Sequence, residues 1–142
     1  MLVEELMSTD VVTIPVEATV REAVGKLLEH EVGSVVVLSD EGNPIGIVTE
    51  SDALRAGYVT ERPFAEIPAK KLARHPVVTT TPSTTVQQVA GQMADNDVKK
   101  VPVMDGLELV GMITLTDIVW QLSDIRAEVG ELATEPENWE LD

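Results

Sequence analysis

The chain repeats itself, and no other property of the sequence narrows its fold as much. At an offset of 66 residues Leu6 meets Leu72, the run Val11, Val12, Thr13 meets Val77, Val78, Thr79, and Thr19 with Val20 meets Thr85 with Val86. Gly25 falls on Gly91, Val32 on Val98, Val35 on Val101 and Val37 on Val103. One residue is then lost from the second repeat. At an offset of 65, Asp40 meets Asp105, Gly46 meets Gly111, Thr49 meets Thr114 and Asp52 meets Asp117. Matches that keep their order over this distance mark a tandem duplication, so the 142 residues must build one small unit twice.

Each repeat carries the same succession of local signals. A β-prone run at residues 11–14, matched by 77–80, ends near Pro15 or Pro82. A helix follows, with apolar Val20, Ala23, Val24, Leu27 and Leu28 at i, i+3, i+4, i+7 and i+8; its counterpart uses Val86, Val89, Ala90, Met93 and Ala94. Thr19 with Glu22, and Thr85 with Gln88, predict capping boxes at both helix starts. Two apolar runs come next, 34–38 and 45–49, joined by the turn signal Asp40-Glu41-Gly42-Asn43; in the second repeat they are 101–104 and 109–114 around Asp105-Gly106. A closing helix is expected after Thr49 and after Thr114, the second running as far as Val129. The unit is therefore β-α-β-β-α, twice, an α/β (α+β) fold. The expected domains are residues 1–62 and 63–128, with a connection over 57–70 holding Pro63 and Pro68, and an acidic tail at 129–142.

Composition removes several function classes. Acidic residues number 25 against 10 basic, a net charge of −15, which repels phosphate backbones and anionic membrane surfaces. Aromatic residues are 3 % of the chain, too few to offer stacking platforms for single strands. Neither a nucleic-acid partner nor a membrane is expected. There is no cysteine, hence no disulfide, no thiolate zinc site and no thiol nucleophile. No apolar run approaches the roughly 20 residues of a membrane span, and Met1-Leu2-Val3-Glu4-Glu5 lacks the basic start of a signal peptide; a cytoplasmic location is the expectation. The dispersed acidity best fits a solvated surface in high salt, with an acidic docking face for a basic partner as the alternative. The two histidines, His30 and His75, stand at unrelated positions of the repeats, and no hydrolase elbow, P-loop or dinucleotide glycine motif occurs. The chain is not expected to be an enzyme, and no metal site is expected.

What remains is Gly46-Ile47-Val48-Thr49-Glu50-Ser51-Asp52 and its repeat Gly111-Met112-Ile113-Thr114-Leu115-Thr116-Asp117. One reading is a strand ending in a helix cap, Thr followed by Asp three residues on. The other uses the same geometry: a hydroxyl and a carboxylate at a strand-to-helix junction can chelate the vicinal diol of a ribose.

The order of these motifs, duplicated, resembles the cystathionine-β-synthase (CBS) domain family, as the tandem pair called a Bateman module. The resemblance is carried by Met7-Ser8-Thr9-Asp10-Val11-Val12-Thr13 and Gly46 to Asp52 in the first repeat. In the second it is carried by Val98-Lys99-Lys100-Val101-Pro102-Val103 and Gly111 to Asp117, so that residues 1–126 are covered. It implies two β-α-β-β-α units packed about a pseudo-twofold axis, with two clefts between them suited to AMP, ADP, ATP or S-adenosylmethionine, Mg²⁺ accompanying ATP. In such pairs each cleft takes its adenine wall from one repeat and its ribose-binding Thr and Asp from the other. Carried over, the first cleft would have Val12, Val32 and Gly33 beside the base with Thr114, Thr116 and Asp117 at the ribose. The second would have Val78 and Val98 beside the base with Thr49, Ser51 and Asp52 at the sugar. Family members often place a basic residue before the Pro-Val strand, pointing at phosphates. The second repeat has Lys99-Lys100 there and the first has Gly33-Ser34. These lysines either read phosphate, making the first cleft the stronger nucleotide site, or solvate a turn. The first repeat also carries Val36 where the second has the family's proline, Pro102. The resemblance further implies a homodimer through helical faces and a non-catalytic sensor that an unidentified protein effector reads. A protein-interaction module with vestigial clefts is the competing expectation.

Overall fold

A computed structural model describes residues 1–73 and 77–121. The first repeat runs β1 (Thr13–Pro15), α1 (Val20–His30), β2 (Ser34–Leu38), β3 (Pro44–Thr49) and α2 (Glu50–Thr60). β1 pairs in parallel with β2, and β2 antiparallel with β3. The hairpin turns where Gly42 adopts φ +85°, a backbone that glycine supplies without steric cost. The second repeat runs α3 (Val86–Asn96), β4 (Lys100–Asp105), β5 (Glu108–Thr114) and α4 (Leu115–Val119), with β4 antiparallel to β5. The expected extension of α4 to Val129, the acidic tail and His75 lie outside the described residues.

Four sequence expectations need correction. The run 77–80 does not form a strand: only Thr80 bridges β4, opposite Val103. The cause is Pro102. In the first repeat Val36 N donates to Val12 O at 3.0 Å, whereas Pro102, at the same place, has no N–H to give Val78. At α1 the cap is made by Thr19 alone, which accepts from Glu22 N at 3.2 Å, while α3 has the reciprocal box between Thr85 and Gln88. Helix α2 continues to Thr60, past the expected start of the connection at Gly57. Leu28, placed on the apolar face of α1 by its spacing, is 75 % exposed.

The two repeats exchange their leading segments. Val3 N donates to Thr84 O at 2.8 Å and Val86 N to Met1 O at 2.9 Å. One repeat later, Ala69 N donates to Ala18 O at 2.9 Å and Val20 N to Ile67 O at 2.7 Å. Val3 is fully buried in the second core with Val89, Val101, Val103 and Ile113. Ala69 and Ala73 join the first core with Ile14, Val35, Val37 and Val48. Each segment packs ahead of its own repeat's strands and onto the other repeat. This reciprocity is the pseudo-twofold relation in contact form. It also locks the halves together, because neither core is closed without a piece of the other.

Candidate functional site

Strand β3 ends where its backbone stops pairing, and Thr49 caps α2 from an extended conformation. Its Oγ1 accepts from Asp52 N at 3.2 Å, and Asp52 Oδ2 accepts from Thr49 N at 2.9 Å. Thr114 and Asp117 repeat this at 3.1 and 2.9 Å. The capping reading of the Thr-x-x-Asp motif is therefore realised in both repeats. Asp52 is 9 % exposed; the cap commits one carboxylate oxygen and fixes the orientation of the second.

The same residues also line a cleft of about 500 Å³ between the repeats. The first repeat contributes Ile47, Thr49, Ser51, Asp52 and Arg55, and the second contributes Val77, Val78, Asp97, Val98, Lys99 and Lys100. Asp97 closes α3 in the left-handed region, φ 52°, and this sharp turn sends the chain from the helix into the cleft wall. Ile47, Val77, Val78 and Val98 form an apolar surface fit for a flat ring. Ser51 and the Thr49–Asp52 pair face it with hydroxyls and a carboxylate, the donor set a vicinal diol needs.

Thr49, Ser51, Asp52, Val78 and Val98, the five residues expected for the second cleft, are thus brought into one cavity. Lys99 and Lys100 were expected to favour the first cleft. Both line the second cleft, because Lys99 follows Val98 directly and one residue advances the backbone by only about 3.8 Å. Arg55 belongs to the cleft as well and was missed. Its signal is its place three residues after Asp52, on the same helix face.

The residues expected for the first cleft belong to both repeats. Val12 and Val32 pack against the first core, and Gly33 O accepts from Glu50 N at 3.2 Å. Thr114 and Asp117 form the α4 cap, while Thr116 is exposed. Val32 also lines a separate apolar cavity of about 560 Å³ between α1 and α2, with Leu27, Leu28, Leu54 and Phe64. A β-carbon on Gly33 would stand 3.5 Å from Lys100 Nζ and 3.4 Å from Glu50 Oε1, so the Lys100 ammonium reaches the first repeat's helix-to-strand turn. Among the described residues no three carboxylates or imidazoles gather as a metal site, and no helix is long and apolar enough to cross a membrane.

Comparison with known proteins places the chain in a family. The CBS domain model matches residues 3–58 and again 69–124. An uncharacterized protein of Methanocaldococcus jannaschii is 27 % identical over 136 residues, covering 87 % of this chain and 32 % of the relative. One from Methanopyrus kandleri is 30 % identical over 118 residues, covering 82 % of this chain and 60 % of the relative. The chain thus spans a third to three fifths of the length of these relatives. A CBS domain protein from Pyrobaculum aerophilum, solved in complex with AMP, superimposes with a TM-score of 0.76 at 28 % identity, covering 95 % of this chain and 100 % of that one. The chain belongs to the CBS domain family and carries the domain twice, as a tandem pair.

Proposed function

We propose that this CBS pair is a non-catalytic sensor that binds an adenosine-containing ligand in the cleft between its repeats. The observation that carries the reading is the joining of Thr49, Ser51 and Asp52 from one repeat with Val78 and Val98 from the other in a single cavity. A ligand seated there touches both halves, so its binding energy depends on how they are packed, which is what a sensor requires. The AMP carried by the Pyrobaculum aerophilum protein supports the ligand class.

Thermal and urea unfolding with AMP, ADP, ATP and S-adenosylmethionine test the reading. A ligand at 100 times its dissociation constant adds about 2.7 kcal/mol to the unfolding free energy. Asp52→Ala should abolish that gain. Gln88→Ala removes the equivalent half of the α3 capping box and should keep it. No gain from any ligand at millimolar concentration would remove the sensor reading and leave Thr49 and Asp52 as a helix cap.

We further infer that two chains pair through the α1–α2 face. Leu28, Leu54, Tyr58 and Val59 on these helices are between 69 % and 86 % exposed, and Leu28 and Leu54 line the apolar cavity between the helices. Exposed apolar surface of this kind is what an isologous dimer covers.

A further inference from the structure

Among the described residues, the backbone hydrogen bonds that residues 1–8 make outside their own segment all go to the second repeat. Val3 N donates to Thr84 O, Glu4 N to Pro82 O at 3.1 Å, and Val86 N to Met1 O, while Ser8 and Met112 exchange a pair of bonds. Leu2 stands in antiparallel register with Thr85, as Ser8 does with Met112. The place these residues fill cannot stay empty. Val3 completes the core made by Val89, Val101, Val103 and Ile113, and without it that core holds a cavity and the Thr84 and Pro82 carbonyls lose their donors. The joint to the first repeat is short. Thr9 and Asp10 are exposed and lie outside any helix or strand, and contact with the first sheet begins at Val12, whose carbonyl accepts from Val36 N. Residues 9–11 therefore connect two bodies over a span of about 10 Å at most. A short joint of this kind is where segment swapping starts, since one change of direction delivers the same segment to the same place on a neighbouring copy.

We infer that residues 1–8 swap between two copies of this chain, each copy lending its Val3 to the other's second core. The swap keeps every hydrogen bond and apolar contact of the segment, so the closed and swapped forms differ only at residues 9–11 and in the entropy of association. Each chain carries a net charge of −15, and the repulsion between two of them is screened by salt. The swapped form therefore gains with ionic strength and with chain concentration. This inference rests neither on the adenosyl reading nor on pairing through the α1–α2 face.

The chain has no cysteine, so introduced thiols report the swap without background. Full-length Leu2→Cys and Thr85→Cys chains are mixed in equal amounts, unfolded in urea, refolded together in high salt and oxidised in air. The swap sets the two positions side by side in different chains, and about half of the refolded dimer should then carry an interchain disulfide. Ser8→Cys mixed with Met112→Cys should do the same, and it leaves the Thr85 cap of α3 intact. Leu2→Cys mixed with Leu107→Cys, which is 85 % exposed, measures chance collision and should give little disulfide. Adding Leu54→Glu to both chains of a swap pair should leave the interchain disulfide in place. Disulfide no more abundant in the two swap pairs than in the Leu107→Cys mixture would overturn the swap. So would its loss on Leu54→Glu, which would assign the contact to the α1–α2 face. Either result leaves the adenosyl reading standing.

Discussion

The carbonyl oxygen of Ser8 lies 2.9 Å from the point where a β-carbon on Gly111 would stand. Ser8 also pairs across the repeats with the next residue, Met112: Ser8 N and Met112 N each donate to the other's carbonyl at 2.9 Å. Gly46, one repeat earlier, meets the β-carbon of Ala73 and its Cα at 3.1 Å. Both glycines are therefore fixed by the exchanged segments. Gly111→Ala and Gly46→Ala should each destabilise the fold by about 1–3 kcal/mol, since rigid backbone must shift. Gly25 and Gly91 sit inside α1 and α3 with nothing within 4 Å of an added β-carbon, so alanine there should stabilise by about 0.5–1 kcal/mol. Urea unfolding of the four variants checks the contrast, and equal effects at all four would contradict the exchange.

Thr80 sits where the first repeat has Ile14. It is 5 % exposed, and its hydroxyl has no hydrogen-bond partner among the described residues. Thr80→Val keeps the shape and removes an unsatisfied buried polar group, so it should stabilise the protein by about 1 kcal/mol. A loss of stability would mean that the hydroxyl does have a partner in solution.

Leu54 is 72 % exposed beside the α1–α2 cavity. A glutamate there would bury its charge in a paired face but would cost a monomer little. Leu54→Glu should therefore convert a dimer to a monomer in light scattering with an unchanged circular dichroism spectrum. A wild-type chain that is already monomeric at high concentration would refute pairing through this face.

Much of this molecule is legible in its sequence because duplication writes each local rule twice. Thr49 with Asp52 and Thr114 with Asp117 read as caps, and the capping geometry is local enough to need no tertiary information. The hairpin at Gly42 and the helix periodicity of Val20, Ala23 and Leu27 are local in the same way. The exchanged segments were not legible. Val3 is a core residue of the second repeat, some eighty residues away from its partners Thr84 and Val89, and no spacing rule reaches that far. The lost strand at 77–80 could have been read from Pro102, since a proline in a central strand withholds a ladder bond. Leu28 was misplaced because periodicity finds an apolar face without saying whether the chain itself covers it. Lys99 and Lys100 line the second cleft, as their adjacency to Val98 implies, while the Lys100 ammonium also stands beside Gly33 of the first.

The most direct test of a ligand bridging the repeats is an amide-resolved NMR titration with AMP. Shifts should concentrate on Thr49, Ser51, Asp52 and Arg55 of the first repeat and on Val78, Val98, Lys99 and Lys100 of the second, all saturating together. Saturating AMP that moves none of these amides, or moves those of one repeat alone, would contradict a site built from both halves.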